Sequence, residues 1–379
     1  MNQSADSQLT VSIAGGSIGG LCAGITLRGI GADIHIYERV SGTMETRGAG
    51  IVVQDELVHL LRQHHAPDLP MTSCRVRRYL DPEGGTGTTQ AMPQQFTSWE
   101  AIYKTLRSTF PDDRYHMGVT VTDVMQQDSR VTATLNGKSS VTSHLFLAAD
   151  GSNSVLRHRF MPDAARSYAG YVAWRGTLDE SNTPPHLLAF FDDAFTFSEA
   201  RSGGHILVYF IPGEGANVRR GHRRLNWVWY VRADGAELAR ALVDKDGKGH
   251  HASLPQGLVS PDAVRDLRSR ATREVHPSLA ELVAETREPF IQTIVDVMVP
   301  RTVFGRIMLV GDAAFVVRPH TAGAVAKAAY DALALSKSLA AAQSDVDAGL
   351  KAAEILQMEQ GRSLVRYGIE LGNRWAKSR

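Results

Sequence analysis

Cysteine is scarce in this chain. Its 379 residues include two, Cys22 and Cys74, and neither stands in a Cys-x-x-Cys pair. That excludes a disulfide framework and gives no reason to expect a metal. Long apolar runs are missing as well. No stretch of 18 apolar residues occurs, so no membrane-spanning helix is expected. The first residues, MNQSADSQ, are polar and lack a basic segment followed by an apolar one. A secretory signal is therefore not expected, and a cytoplasmic location is. Charge of one sign is not in excess: 41 basic residues against 40 acidic give a net charge of +1. This balance supplies no electrostatic pull toward nucleic acid or an anionic membrane. Internal repeats and low-complexity segments are also lacking.

Against these absences, 43% hydrophobic and 21% charged residues describe an ordinary globular chain with a large core. Its length suits two closely linked domains. Leu9–Ala14 reads as a buried strand, Gly15–Gly20 as a glycine-rich turn, Leu21–Ile30 as a helix stopped by Gly31, and Asp33–Tyr37 as a second strand ending at Glu38. A strand–helix–strand opening of this kind implies a parallel sheet. Gln54–His65 and Trp99–Thr109 read as helices, Val119–Met125 and Val131–Asn136 as paired strands, and Leu145–Ala149 as another buried strand. Between about 168 and 298 the character changes. Tyr171–Leu178, His186–Phe191, His205–Ile211, Leu225–Val231 and Phe290–Val297 are rich in aromatic and β-branched residues, and predict an antiparallel sheet. Asp244–Ala252 reads as an exposed loop that includes His250 and His251. Arg306–Val310 is a further buried strand, and the remainder reads as mostly helical.

Three turns carry nucleotide signals. The first is Gly15-x-Ser17-x-x-Gly20, between a strand and a helix. Glycines there permit a tight turn and close approach of a pyrophosphate, whose charge the helix N-terminus stabilises. Ser17 replaces the middle glycine of the strict pattern. Glu38 follows Gly15 by 23 residues, near the spacing of a carboxylate that binds ribose hydroxyls. The second turn is Asp150-Gly151-Ser152-Asn153-Ser154-Val155-Leu156-Arg157. The third is Gly311-Asp312-Ala313-Ala314, with Arg318-Pro319-His320 close behind. Each sits at the end of an apolar strand. A lone Asp-Gly or Gly-Asp pair marks only a turn; three in this order carry the weight.

With these motifs the chain resembles the class A flavoprotein monooxygenases of the para-hydroxybenzoate hydroxylase type, over nearly its whole length. Tyr168–Gly176 (YAGYVAWRG), Arg318-Pro319-His320 and Gly50–Gln54 (GIVVQ) resemble more narrowly the 2,6-dihydroxypyridine 3-hydroxylase group of nicotine degradation. The resemblance implies an α/β fold: a Rossmann-like FAD-binding domain of the glutathione reductase type, an inserted, mainly antiparallel substrate sheet, and C-terminal helices. Residues 1–75, 98–167 and 300–340 would form the FAD-binding domain, 76–97 and 168–299 the substrate domain, and 341–379 the helical segment. It also implies non-covalent FAD, NADH or NADPH as electron donor, and O2 and a small aromatic compound as substrates. The oligomeric state stays open, a homodimer among the options.

Carried over, the resemblance lays Gly15, Ser17, Ile18 and Gly20 along the FAD pyrophosphate, with Asp150 at the second turn. Glu38 would hold the adenosine ribose, with Arg39 beside it. Arg47 would reach the FAD phosphates or assist the nicotinamide donor. Gly311 and Asp312 would hold the ribityl–pyrophosphate region. Pro319, Ala322, Gly323 and Ala324 would line the isoalloxazine edge. Two departures stand out. Where the family shows glycines three and five residues after Pro319 and then an asparagine, this chain has Ala322, Ala324 and Ala326. Alanine tolerates positive φ poorly, so the resemblance does not fix the loop geometry. Trp99 stands where many members carry an arginine near the flavin.

The implied reaction is hydroxylation of a hydroxylated pyridine through a flavin hydroperoxide. It requires exclusion of water and help with substrate deprotonation. His320 is the first candidate for the proton step, because histidine titrates near neutral pH; a loop histidine bonded to a carbonyl is the plainer reading. Tyr209 is the second catalytic candidate and could line the pocket opposite, or be only a core tyrosine. Arg201 and Arg175 could neutralise an anionic substituent. Phe195 and Phe197 alternate onto one strand face and could pack on the ring or only on the core. Alternative substrates are 6-hydroxy-3-succinoylpyridine and a hydroxybenzoate or phenol. A non-oxygenating FAD oxidoreductase and a non-catalytic nucleotide-binding module would require the same turns.

Overall fold

The computed structural model describes residues 8–42, 44, 50–85, 87–343 and 345–377, the side chains of 375–377 excepted. Its first sheet is six-stranded. In spatial order the strands are Val303–Phe304, Ile307–Leu309, Leu145–Ala148, Thr10–Ala14, Asp33–Glu38 and Tyr115–Met117. All neighbours run parallel except Val303–Phe304, which hairpins back on Ile307–Leu309. Such a sheet is covered on both faces, and Leu145, Phe146 and Leu147 are fully buried. One face packs on the helix Ile18–Gly29, which the helix Ala324–Ala341 joins; the other meets the meander Val121–Gln127, Arg130–Leu135 and Ser139–Ser143. Three strands from distant parts of the chain lie side by side here. Their register sets Ala14 beside Ala148 and Ala148 beside Leu309. Parallel strands in this register end at one edge, so the three nucleotide turns meet there.

The second sheet has ten strands. Its main path runs Ser253–Leu254, Phe290–Met298, Ser167–Asp179, Arg224–Arg232, His205–Ile211, Ala194–Glu199, Thr72–Leu80, Thr89–Ser98 and Gly50–Val52, with Phe315–Val316 added on Phe290–Met298. It is antiparallel except where Ala194–Glu199 runs parallel to Thr72–Leu80. The α/β class and the mainly antiparallel second sheet are as expected. Two details differ. The boundary expected at residue 76 falls inside the strand Thr72–Leu80, and Gly50–Val52 also belongs to this sheet. His186–Phe191, read as a strand, lies in the helix Pro185–Phe191. Pro184 and Pro185 occupy its cap and first position, where a missing N–H costs nothing, and the aromatic content misled the strand reading.

Alternation along these strands turns one face of the large sheet toward the first sheet. Cross-strand pairing forms a row of Arg175, Val228, Leu207, Phe197 and Tyr79, with Ala173, Tyr230 and His205 beside it. Arg318, after Phe315–Val316, ties the loop of the third turn to this sheet. Its Nε lies 2.9 Å from Asp296 Oδ1, its Nη2 lies 2.7 Å from Oδ2, and its guanidinium sits 5.5 Å from the centre of the Tyr171 ring. The long helix Val346–Lys377 packs flush on it: a Cβ at Gly372 would fall 2.6 Å from Arg318 Nη1. Breaking a buried ion pair from one side leaves an uncompensated charge. Asp296→Ala is therefore expected to lower unfolding free energy by about 3–5 kcal/mol, measured by urea titration. The double variant Arg318→Met/Asp296→Leu should recover much of that loss. A loss below about 1 kcal/mol for Asp296→Ala would show that the pair does not hold the loop.

Candidate active site

The three turns are shaped by sterics. Gly15 has φ +102°, and a Cβ there would fall 2.2 Å from the Ala149 carbonyl oxygen. A Cβ at Gly20 would fall 1.9 Å from the Gly15 oxygen. No larger residue fits either place, so the first turn closes on the second with bare backbone. Ser17 caps the following helix without a side-chain bond, and the first helical turn contains no acid. The helix N–H groups are thus left for an anion. The third turn lies within van der Waals contact of the first, with a Cβ at Gly19 falling 3.8 Å from Gly311 Cα. Arg157 locks the second turn to the third: its guanidinium donates to the carbonyls of Ser152 at 2.6 Å and Ala313 at 3.0 Å. Beneath Gly311 lies a fully buried pair, Lys327 Nζ 3.5 Å from Asp331 Oδ2, and that oxygen also accepts from the Gly311 N–H at 3.3 Å.

A cavity of about 720 Å³ runs from these turns to the face of the large sheet. Ser17, Ile18, Gly311, Asp312, Pro319, Ala322, Gly323 and Ala324 line one part of it, and Phe197, Tyr209 and His320 line another. Asp312 opens onto this cavity, and desolvation at its depth pushes the carboxyl up, against the cations of Lys327 and Arg157. Gly15 and Gly20 stand behind the lining and shape it. Ala322 adopts φ +53°, so alanine here takes the left-handed conformation, with its oxygen accepting from Gln54 Nε2 at 3.1 Å. Trp99 lines the cavity and stacks on Tyr103.

Four expected residues are placed otherwise. Glu38 points its carboxylate at backbone, accepting from Gly16 N at 2.8 Å and Val40 N at 2.9 Å, and so braces the first turn. Arg39 beside it is exposed. Asp150 does not line the cavity: its Oδ2 accepts from Val155 N at 2.8 Å, capping the helix Val155–Phe160, because a carboxylate is drawn to the N–H groups there. Arg201 lies in the exposed turn after Ala194–Glu199 and is not in the cavity; Arg175 is. Arg47 lies outside the described residues.

His320 sits in a cluster that its sequence neighbourhood does not announce. Its Nε2 is 2.7 Å from the Tyr171 hydroxyl, and its ring centre lies 4.4 Å from that of Tyr230 and 5.3 Å from that of His205. Its Nδ1 is buried without a hydrogen-bond partner. Burial, assisted by Arg318, brings its pKa down to about 4, and burial holds His205 well below its ordinary value too. Tyr209 packs in a different cluster, stacked 4.4 Å from Phe96 and edge-on to Phe195. Burial pushes its hydroxyl pKa up, so it stays a neutral donor. The partners Tyr171, His205 and Tyr230 were not anticipated. The alternation His205, Leu207, Tyr209 along one strand would have found one of them. Both cysteines are free and buried. Among the described residues no group of three or more His, Cys, Asp or Glu is arranged to hold a metal, and no helix is long and apolar enough to cross a membrane.

Backbone-only turns at a helix N-terminus, opening on an aromatic-walled cavity, fit FAD and a small ring, and the architecture is that of a flavin monooxygenase. The comparisons agree. Residues 168–296 match the family described as FAD binding domain-like. The chain is 32% identical over 367 residues to the 2,6-dihydroxypyridine 3-monooxygenase of Paenarthrobacter nicotinovorans, covering 96% of this chain and 91% of that enzyme. The solved structure of 2,6-dihydroxypyridine-3-hydroxylase from Arthrobacter nicotinovorans superposes with a TM-score of 0.90 at 30% identity, over 98% of this chain and 93% of that one. Klebsiella pneumoniae HpxO complexed with FAD and uric acid shares the fold, with a TM-score of 0.75 at 23% identity over 98% of this chain and 90% of that one. The chain belongs to the FAD-dependent monooxygenases of aromatic rings: an oxidoreductase with FAD as cofactor and NAD(P)H and O2 as co-substrates.

Two outcomes follow. Glu38→Ala removes the charge-assisted bonds that brace the first turn and should weaken FAD binding roughly tenfold or more, the worth of one such bond. Fluorescence titration of the apoprotein measures it, and an unchanged Kd would remove Glu38 from the site. The second concerns pH. His320 and His205 are neutral when folded and take protons near pH 6.5 when unfolded, so the unfolded state gains protons first and stability falls as pH drops below about 6.5 toward 4. His320→Gln should remove up to about 2 kcal/mol of the stability difference between pH 7 and pH 5. Equal losses in wild type and variant would show that His320 is not held neutral.

Proposed function

We propose that this enzyme hydroxylates a hydroxylated pyridine ring, consuming one NAD(P)H and one O2 and releasing one water per hydroxyl group added. The observation that supports this reading is the single cavity that joins three phosphate-type turns to a wall of aromatic side chains ending at His320. The likeness to dihydroxypyridine monooxygenases extends over the same wall. The reading also includes a cytoplasmic enzyme acting on a freely diffusing compound, as a monomer or homodimer.

FAD, when bound, accepts hydride from NAD(P)H and activates O2 so that one oxygen atom can be transferred to the ring. The chain supplies the rest. Gly15, Ser17, Ile18 and Gly20 would form the phosphate cradle, and Gly311 and Asp312 would close it from the strand beyond Leu145–Ala148. Pro319, Ala322, Gly323 and Ala324 shape the floor beside the ring, and Phe197 and Tyr209 shape the wall. His320 is the group for the proton step. A substrate oxygen that loses its proton makes the ring carbon more nucleophilic. A neutral imidazole can take that proton, and the tautomer with hydrogen on Nε2, donated to the Tyr171 hydroxyl, leaves the Nδ1 lone pair unclaimed by the protein.

The test is a panel of hydroxypyridines and hydroxybenzoates, scored by ring-stimulated NADH oxidation, O2 uptake and product mass, with heat-released flavin expected to be FAD at about one per chain. His320→Asn should slow hydroxylation about 10²–10⁴-fold while FAD content stays near normal. Its NADH consumption should divert to hydrogen peroxide, and the loss should shrink at high pH, where the substrate ionises unaided. Unchanged rate and coupling in the variant would make His320 a structural loop residue.

A further inference from the structure

Four arginines of the described chain are buried: Arg157, Arg175, Arg223 and Arg318. Three have evident partners. Arg157 donates to the carbonyls of Ser152, Ala164 and Ala313. Arg223 pairs with Glu180 at 2.6 Å, and Arg318 pairs with Asp296. Arg175 differs. It is 8% exposed, lines the cavity from the large sheet, and its side chain makes no hydrogen bond or ion pair among the described residues; its Nε is sealed from open space without a partner. A buried cation without a counter-charge is costly, and a protein that keeps one beside a ligand cavity has left the partner to the ligand. The surroundings agree. Arg77, on the same wall, donates to Gln94 at 2.7 Å and lies over the rings of Phe195 and Phe197. His205 and His320 are held neutral, and the one acid among the described lining residues, Asp312, is at the turn end. Tyr209, which also bonds the Asn226 side chain, and Tyr230 line the same cavity, feel the Arg175 charge and are held neutral by burial.

We infer that Arg175 is the anchor for an anionic oxygen on the substrate ring, so that the cavity selects aromatic anions over neutral rings of the same shape. This rests on the reading of the cavity as a substrate site. The oxygen can be a ring oxyanion or a ring-borne carboxylate, and both engage a guanidinium in the same way. Tyr209, named for catalysis from the sequence, then serves as a co-ligand of that oxygen.

The experiment uses the FAD-loaded enzyme without NADH and reads ligand binding from the perturbed flavin spectrum. The paired probes are 2,6-dihydroxypyridine against 2,6-dimethoxypyridine, nicotinate against nicotinamide, and 4-hydroxybenzoate against 4-hydroxybenzamide. The ultraviolet spectrum of bound dihydroxypyridine reports whether it is ionised. Wild type should favour the anion of at least one pair by about ten- to a hundredfold, the worth of a charge-assisted hydrogen bond. Preference in the first pair with an ionised spectrum identifies an oxyanion, and preference in the other two a carboxylate. Arg175→Met should reduce the preference to within about threefold while FAD content is retained, and Arg175→Lys should keep part of it; if Arg175→Met does not load FAD, Arg175→Gln takes its place. No preference in wild type, or an equal preference in the variants, overturns the inference and leaves the hydroxypyridine reading standing. If no pyridine binds but a benzoate anion does, and its preference depends on Arg175, the hydroxypyridine reading falls and the anchor stands. If no ring binds, both fall.

Discussion

The Arg318–Asp296 ion pair sets the spacing on which the site depends. Asp296 belongs to a strand of the large sheet, while Arg318 belongs to the loop that follows the third turn of the parallel sheet. Two fork-shaped hydrogen bonds fix orientation as well as distance. Pro319 and His320 come next in the chain, so the pair delivers the imidazole to the large sheet, where Tyr171 receives it at 2.7 Å. The same cation helps hold His320 neutral. One buried pair thus positions the group proposed for the proton step and adds to the burial that keeps it neutral. Gly368 and Gly372 extend the arrangement to the last helix: without side chains on that face, it covers the pair from solvent.

Much of this was legible in sequence for a physical reason. Turns that approach a phosphate must be free of side chains, so glycine at 15, 20 and 311 leaves a trace that needs no tertiary information. Buried parallel strands leave apolar runs: Leu145–Ala149 and Arg306–Val310 were read as such, and the strands span Leu145–Ala148 and Ile307–Leu309. Helix Trp99–Thr109 was bounded correctly because Ser98 caps it with a hydrogen bond from Ala101 N. What did not show was partnership across strands. Arg201 and Arg175 are alike as letters. Only cross-strand register shows that one sits at an exposed turn and the other faces a ring-lined wall beside Val228. Glu38 was read as a ligand residue from its spacing after Gly15, and Asp150 from its place in the second turn. In the fold both carboxylates bind backbone N–H groups of the turns themselves. A carboxylate that shapes a phosphate loop and one that touches the ligand leave the same letter.

The alanine-rich loop after Pro319 shows how the chain accommodates its departure from the family pattern. Ala322 keeps the left-handed φ that glycine would adopt freely, at a cost of about 1–2 kcal/mol. Local bonds offset it: Ala322 N donates to the Pro319 oxygen at 2.9 Å, and Gln54 holds the Ala322 oxygen from across the cavity. The helix Ala324–Ala341 then begins with Ala324, Val325 and Ala326, so no side-chain amide from its first turn reaches the cavity. Polar support comes from beneath: Lys327, fully buried, pairs with Asp331, and the same Asp331 oxygen accepts from the Gly311 N–H, which braces the third turn. A cation buried this deeply is tolerated only with its acid beside it, and the pair is one helical turn apart on the same helix, where side chains four residues apart meet. The charge therefore travels with the helix rather than with the loop. The loop is left free to be built from small residues that would let a flat ring approach closely, because the ion pair that braces the third turn through Gly311 belongs to the rigid layer underneath.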